Sequence, residues 1–169
     1  MSTRTTPAPV DTAAAAQFWA SYAAARPDAV RVAPDYTVER FGDSAELADE
    51  LLELVAAGAK RATSSLMADF DTESNPLPRI GCHWIVCDST GAPRLVLRTT
   101  ELRIGAFHSV EESFAHAEGE DDRTRESWMA NHRHYWQRRC ATLGRPWDEH
   151  SEEILFERFT VVFPLNLAD

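Results

Sequence analysis

Three polar residues have types and spacings that could do chemistry together. Lys60 and Thr63 are three residues apart in the segment GAKRATSSL, where a helical pattern ends. Side chains at that spacing share one helix surface, so a lysine amine and a threonine hydroxyl could meet. The hydroxyl needs a base to become a nucleophile, and lysine is a base only when desolvation lowers its pKa. The alternative is a solvated Lys60 near the helix C-terminal carbonyls and an ordinary cap residue at Thr63.

Glu101 is the third candidate. Strand alternation puts it on the same face as Leu95 and Leu97, and a carboxylate on a core face is rarely kept without a partner. Lys60 could be that partner, although a nearby carboxylate would raise the lysine pKa and oppose its use as a base. Glu101 would then be the general acid/base and Lys60 the support for an oxyanion. The structural alternative is a strand-edge salt bridge with Arg98 or Arg103.

An acidic run, Glu118 to Asp122, precedes the longest helical pattern of the chain. Asp122 can cap that helix, and the negative charge complements the helix dipole. The alternative is a divalent metal site with Glu118 and Asp122 as ligands, since hard cations take several carboxylate oxygens. His132 shares a stripe with Trp128 and is predicted to be a hydrogen-bonded core histidine.

The elements that must position these residues follow from hydrophobic periodicity and from cap and stop residues. Helices are predicted over residues 11–26, from Asp43 or Ser44 to Gly58, from a Ser109/Glu112 capping box to Gly119, and over 124–143. Strands are predicted over residues 82–88, 94–104 and 154–163, the first two forming a β-hairpin. Without a regular βαβ repeat, this order predicts an α+β fold with a mainly antiparallel sheet.

Length and composition limit the organisation of the chain. Its 169 residues, 44% of them hydrophobic, suffice for one compact domain and are too few for two of ordinary size. Residues 1–10 are polar, small and proline-bearing, so we expect a disordered tail. Residues 11–169 are then the single domain.

Charge and hydropathy exclude several classes of function. The formal net charge of −10 argues against a broadly basic surface that binds duplex DNA. No apolar run reaches the roughly 20 residues that cross a bilayer, and the N-terminus lacks the apolar stretch of a signal peptide. A soluble, cytoplasmic protein is expected, with reduced thiols at Cys82, Cys87 and Cys140. The common phosphate-binding, serine-hydrolase and zinc-protease motifs do not occur.

Several motifs in order resemble the ASCH domain superfamily, in particular its larger bacterial branch, once catalogued as a domain of unknown function. The resemblance covers about residues 15–164 and rests on FWASY, FGDSAELADELLELVAAGAKRATSSL, PLPRIGCHWIV, LRTTELRIGAF, FAHAEGEDDR and ERFTVVFP. It implies a PUA-like fold, in which a small mixed or antiparallel β-barrel is flanked by helices.

The resemblance also implies a site. The family's cleft carries a GxKxxTxR-like motif, which here contains Lys60 and Thr63 but has Ser65 in place of the arginine. Arg61 or Arg98 could replace that arginine. Small family members look like amidohydrolases that remove the acetyl group of N4-acetylcytidine with a lysine, a threonine and a glutamate. These roles carry over to Lys60, Thr63 and Glu101, with Arg61, Ser65, Arg98 and Trp128 as substrate-binding residues.

The implied ligand is a small nucleoside, bound without a cofactor and with no membrane partner. Other family members resemble RNA-binding modules or metal-dependent ribonucleases, so single-stranded RNA is the alternative partner. In the ribonuclease alternative, Glu118 and Asp122 would hold a divalent metal. The acidic net charge favours the small substrate over a polymer.

Overall fold

Helices and strands interleave along the chain. The computed structural model describes residues 4–70 and 74–169. The helices are α1 (Thr12–Ala25), α2 (Pro27–Val32), α3 (Ala45–Ala56), α4 (Glu112–Glu118) and α5 (Arg125–Thr142). The strands are β1 (Tyr36–Glu39), β2 (Ala62–Leu66), β3 (His83–Cys87), β4 (Pro93–Ala106) and β5 (Glu153–Phe163). This arrangement confirms the predicted α+β class, whereas α2, β1 and β2 were not predicted.

The strands form one five-stranded sheet in the order β1-β3-β4-β5-β2. β1 pairs with β3 in parallel, and β3 pairs with β4 and β2 with β5 in antiparallel. Among the strands within residues 4–70 and 74–169, β1 and β2 are the two edges, so the PUA-like sheet is open and not a closed barrel.

Side chains cap the longer helices as their sequences require. Ser44 accepts a hydrogen bond from the Leu47 amide at the start of α3, and Thr124 accepts one from the Ser127 amide at the start of α5. Asp122, the predicted cap of α5, instead accepts hydrogen bonds from the amide and hydroxyl of Thr124. The true cap is therefore two residues later in the chain.

The chain divides into two compact units. Unit 1 comprises Met1–Gly58, Arg79–Thr100 and Phe159–Asp169, and unit 2 comprises Ala59–Pro78 and Glu101–Arg158. The buried core of unit 2 consists of Ala62, Leu66, Phe107, Val110, Phe114, Ala115, Trp128, Trp136, Cys140, Ile154 and Phe156. The cores of unit 1 are built around α3 and α1 on strands β3 and β4. The single domain over residues 11–169 stays a prediction.

The segment before α1 is held by hydrogen bonds. The Ala8 amide donates to the Ser89 carbonyl and the Ala45 amide to the Thr5 carbonyl, each at 2.9 Å. Arg4 forms an ion pair with Asp43 at 2.6 Å. Residues 4–10 therefore differ from the loose tail expected from their composition, because their backbone groups have partners in unit 1. Residues 1–3 of that prediction lie outside the described residues.

Two further sequence-based expectations concern membrane-spanning helices and the state of the cysteines. Within the described residues, no helix has both the length and the apolar character needed to cross a membrane. Cys82, Cys87 and Cys140 are free thiols, as predicted.

Candidate functional site

Lys60 lies two residues before β2, with its side chain buried in unit 2 at 1% exposure. Its ammonium group donates to Oε1 of Glu120 at 2.7 Å and to Oε2 of Glu118 at 3.4 Å. The backbone carbonyl of Glu118 accepts a third hydrogen bond at 3.4 Å. The solvated lysine considered as the structural alternative is therefore wrong.

A close backbone approach brings the acidic segment to Lys60. α4 ends at Glu118, and Gly119 follows in the left-handed conformation with φ of +74°. A Cβ atom at Gly119 would lie 2.3 Å from the Ala59 carbonyl oxygen, so only glycine allows this approach. The Arg61 amide donates to the Ala117 carbonyl at 2.7 Å. The chain after α4 thus lies directly against the chain before β2.

Glu118 lies at the centre of a buried polar network. Its Oε1 accepts a hydrogen bond from the Ser64 hydroxyl at 2.6 Å, and its Oε2 lies 3.5 Å from Nε2 of His132 as well as near Lys60. Nδ1 of His132 lies 2.9 Å from the Trp128 carbonyl, which can only accept. His132 is thus hydrogen-bonded in the interior, as predicted, and it also contacts the buried carboxylate.

Burial and the neighbouring charges shift the pKa of each buried ionisable group of the network. Burial lowers the pKa of Lys60, but the carboxylates of Glu120 and Glu118 outweigh burial and raise it, so Lys60 is a cation. Burial opposes ionisation of Glu118, yet Lys60 and His132 hold its pKa well below its usual range. Burial likewise opposes the charged form of His132, and Glu118 outweighs it, so the pKa of His132 is raised. Lys60 and His132 therefore stabilise the Glu118 anion.

Glu120 differs from the other members of the network. Its pKa is raised, because burial and the neighbouring Glu118 carboxylate together outweigh Lys60. Its side chain is also 25% exposed, whereas those of Lys60 and Glu118 are each 1% exposed. Of the two carboxyl groups in the network, Glu120 is thus the one whose pKa is raised. It is also the one that an incoming molecule can reach from solvent. A raised carboxyl pKa next to a fixed cation is suited to proton transfer.

Thr63 does not share a surface with Lys60 in the way its spacing predicted. The segment is a strand and not a helix end, so successive side chains alternate between faces. Thr63 pairs across the sheet with Glu157, whereas the next residue, Ser64, faces the network and donates to Glu118. Ser65 pairs with Leu155 and, like Thr63, lies on the opposite face of β2 from Ser64.

Glu101 is not the carboxylate beside Lys60. Its side chain is 64% exposed, and its Oε1 lies 3.8 Å from Nε of Arg158. Strand alternation is correct over Leu95 to Thr99, where the inward face is covered, but the face is open at Glu101. The predicted core environment of Glu101 is therefore wrong, and the surface salt bridge involves Arg158 instead of Arg98 or Arg103.

The predicted substrate-binding residues are dispersed. Arg61 donates to the Lys60 carbonyl at 2.9 Å. Arg98 belongs to unit 1, where it donates to the Gly81 carbonyl and lines a cavity of about 400 Å³. Trp128 is buried, and its ring stacks on His132 with centroids 4.1 Å apart, so it supports His132 from the core.

The predicted metal ligands Glu118 and Asp122 are engaged elsewhere. Both oxygens of Glu118 have protein partners, and Asp122 accepts from Thr124. Within residues 4–70 and 74–169, one group of three metal-ligating side chains lies close enough to share an ion, and it consists of His108, Glu149 and His150.

Sequence reasoning missed Ser64 and Glu120 as members of the network. The sequence signal that could have found Glu120 is the acidic run with its internal Gly119. This glycine follows α4 and lets the next residues lie close to Ala59 and Lys60. Helix capping accounts for the acidic run without a contact to Lys60, so the run alone does not predict that contact.

The chain matches a family model and two solved structures, and the family model covers every segment that contributes to the network. The ASCH domain family model matches residues 37–163. A high-resolution crystal structure of an ASCH domain from Lactobacillus crispatus JV V101 matches with a TM-score of 0.81 and 25% identity, covering 90% of this chain and 96% of that chain. A crystal structure of a protein from Enterococcus faecalis V583, with the family-model name DUF984, has a TM-score of 0.66 and 31% identity, covering 74% of this chain and 75% of that chain. No curated protein matches the chain.

Proposed function

The chain belongs to the ASCH domain family, and from this premise we propose that it hydrolyses the amide of a small acylated nucleoside such as N4-acetylcytidine. The observation that carries the proposal is the 2.7 Å contact between Lys60 Nζ and Glu120 Oε1. This contact joins a fixed cation to a partly exposed carboxylate whose pKa is raised. Amide hydrolysis needs both: charge stabilisation for an oxyanion and a group that moves a proton.

Glu120 is the proposed general base and acid. It accepts a proton from water as the water oxygen bonds to the acyl carbon. It then gives that proton to the leaving amine as the carbon–nitrogen bond breaks. The products are a carboxylic acid and the free nucleoside, so the atoms balance without a cofactor.

Lys60 is proposed as the electrostatic partner of this step. A raised pKa keeps it protonated, so it stabilises negative charge on the former carbonyl oxygen and does not act as the base. Glu118 and His132 are positioning residues, since Glu118 contacts Lys60 and His132 contacts Glu118 within the buried network. The proton-transfer role that the resemblance gave to Glu101 therefore passes to Glu120 in this proposal.

Thr63 remains a candidate nucleophile in a second form of the same mechanism. Direct attack by water is favoured because a protonated Lys60 cannot take the threonine proton. Thr63→Ala separates the two forms: kcat is retained if water attacks, and is lost if Thr63 attacks.

Cytidine release from N4-acetylcytidine tests the proposed function. We expect release by the wild type and a loss of at least about 100-fold in kcat for Lys60→Ala, with folding of the variant checked by near-ultraviolet circular dichroism. No release by the wild type would overturn the substrate assignment. Equal rates for wild type and a folded Lys60→Ala would overturn the site.

A further inference from the structure

Two histidines and a glutamate meet at a second place in unit 2. Nε2 of His108 lies 3.5 Å from Oε1 of Glu149, and Nε2 of His150 lies 4.0 Å from the same oxygen. One donor atom from each residue lies within 4.8 Å of the other two. We propose that these three side chains bind a single divalent transition-metal ion, with zinc as the reference case.

Hydrogen bonds fix each of the two segments that carry the three side chains. His108 lies in the short 3-10 turn Phe107–Ser109, and its carbonyl accepts a hydrogen bond from Arg125 at 2.7 Å. The His150 amide donates to Oδ1 of Asp148 at 3.0 Å, which fixes the turn carrying Glu149 and His150. The two imidazole rings stack with centroids 5.3 Å apart.

The donor set and its geometry suit zinc better than magnesium or calcium. Zinc takes imidazole nitrogen and carboxylate oxygen in tetrahedral sites, whereas the harder cations prefer oxygen ligands alone. Metal–ligand distances of about 2.0–2.2 Å place neighbouring donor atoms of a tetrahedral site about 3.4 Å apart. The 3.5 Å contact of His108 with Glu149 is close to that length. The 4.0 Å contact of His150 and the remaining donor separation, which is within 4.8 Å, must shorten when an ion binds.

Exposure and charge at the cluster are compatible with metal entry. The side chains of His108 and His150 are 44% and 76% exposed, so an ion can reach both rings from solvent. Arg133 donates a hydrogen bond to Oε2 of Glu149. The other carboxylate oxygen, Oε1, lies near the two histidines. Such outer partners orient a ligand, although the positive charge of Arg133 reduces the affinity for a cation. Three protein ligands leave a fourth position for water.

Calorimetric titration of the tag-free full chain with Zn²⁺ tests the site. We expect one ion per chain and a loss of affinity of at least about tenfold in His108→Ala and in His150→Ala, since even outer-shell changes cost roughly 10–100-fold. His134→Ala is the matched control, because His134 is exposed on α5 and outside the cluster, and it should bind as the wild type does. Excess Mg²⁺ should not displace the ion.

The melting temperature with and without zinc provides a second test that also applies to variants of lower stability. Zinc should raise the melting temperature of the wild type and of His134→Ala but not of the double variant His108→Ala/His150→Ala, because ligands stabilise the state they bind. Absence of saturable binding to the wild type would overturn the proposal. Equal losses in His134→Ala and His150→Ala would overturn it as well.

Discussion

Oε1 of Glu120 lies 2.7 Å from Nζ of Lys60, although 60 positions separate the two residues in the chain. The contact is the exposed end of a buried network in which Lys60 lies beside Glu118 and Glu120, and His132 lies beside Glu118. Buried charges are tolerated only when they are paired and hydrogen-bonded, which is the case for Glu118. The network thus supports predictions of two kinds, on stability and on reactivity.

Lys60→Met should destabilise the protein strongly. It removes the ammonium group and leaves the Glu118 carboxylate buried with less compensation. Loss of one partner of a buried ion pair costs about 3–5 kcal/mol, which urea unfolding would measure. Glu101→Gln is the control and should change the free energy of unfolding by less than about 0.5 kcal/mol, because Glu101 is exposed. The double variant Lys60→Met/Glu118→Gln should recover part of the loss, and an unchanged loss would contradict the pairing.

Ser64→Ala should be destabilising while Ser65→Ala should not be. The Ser64 hydroxyl donates to the buried Glu118 carboxylate at 2.6 Å, and hydrogen bonds to charged groups contribute about 1.5–3 kcal/mol. Ser65 lies on the opposite face of the same strand, so its change is expected to stay within about 0.5 kcal/mol. Chemical unfolding of both variants provides the measurement. Equal effects would mean that the face assignment of β2 is wrong.

Gly119→Ala should cost more than Gly144→Ala, although both glycines have a positive φ of about 70°. Each alanine would be strained by roughly 1–2 kcal/mol in that conformation. At Gly144 nothing lies within 4 Å of the new methyl group, whereas at Gly119 it would meet the Ala59 carbonyl at 2.3 Å. The difference between the losses in unfolding free energy of the two variants measures the cost of the contact with Ala59. We expect this difference to be at least about 1 kcal/mol. A difference near zero would contradict it.

His132 should titrate above its ordinary pKa of about 6.5, because the Glu118 carboxylate outweighs burial. A raised folded-state pKa contributes stability that is fully present below that ordinary value and is lost as the pH rises through the folded-state pKa. The wild type should therefore lose stability relative to His132→Gln as the pH rises from about 6.5.

Imidazole NMR signals give the His132 pKa directly. Glu118→Gln should lower it, because the carboxylate that most strongly opposes the effect of burial is removed. Glu101→Gln, which changes an exposed carboxylate beside Arg158, should leave it unchanged. A wild-type pKa at or below the ordinary value would contradict the assigned charges.

Much of the fold could be predicted from local signals. Periodicity, the N-cap Ser44 and the stop at Gly58 define α3. A short apolar run indicates β3, and alternation indicates β4 and β5. β1 was missed because its four residues carry too little pattern to be distinguished from a loop. β2 was missed because its sequence, ATSSL, has no apolar run and follows a helical pattern closely. Lys60 could be singled out by its residue type and by its place at the end of a helical pattern.

The partners of Lys60 could not be predicted in the same way. Glu118 and Glu120 reach it through a backbone approach between segments 58 and 60 positions apart, which no local period records. Glu101 illustrates the converse: alternation gave its face correctly but could not show whether another element covers that face. Thr63 was misplaced because a helical spacing was applied to a strand.

The comparison of Glu120→Gln with Glu101→Gln in N4-acetylcytidine hydrolysis tests the central claim most directly. Both variants remove one carboxylate, but only Glu120 contacts Lys60 with a raised pKa. We predict that kcat falls at least about 100-fold in Glu120→Gln and stays within about twofold in Glu101→Gln. Full activity of Glu120→Gln, with activity lost in Glu101→Gln, would contradict the account.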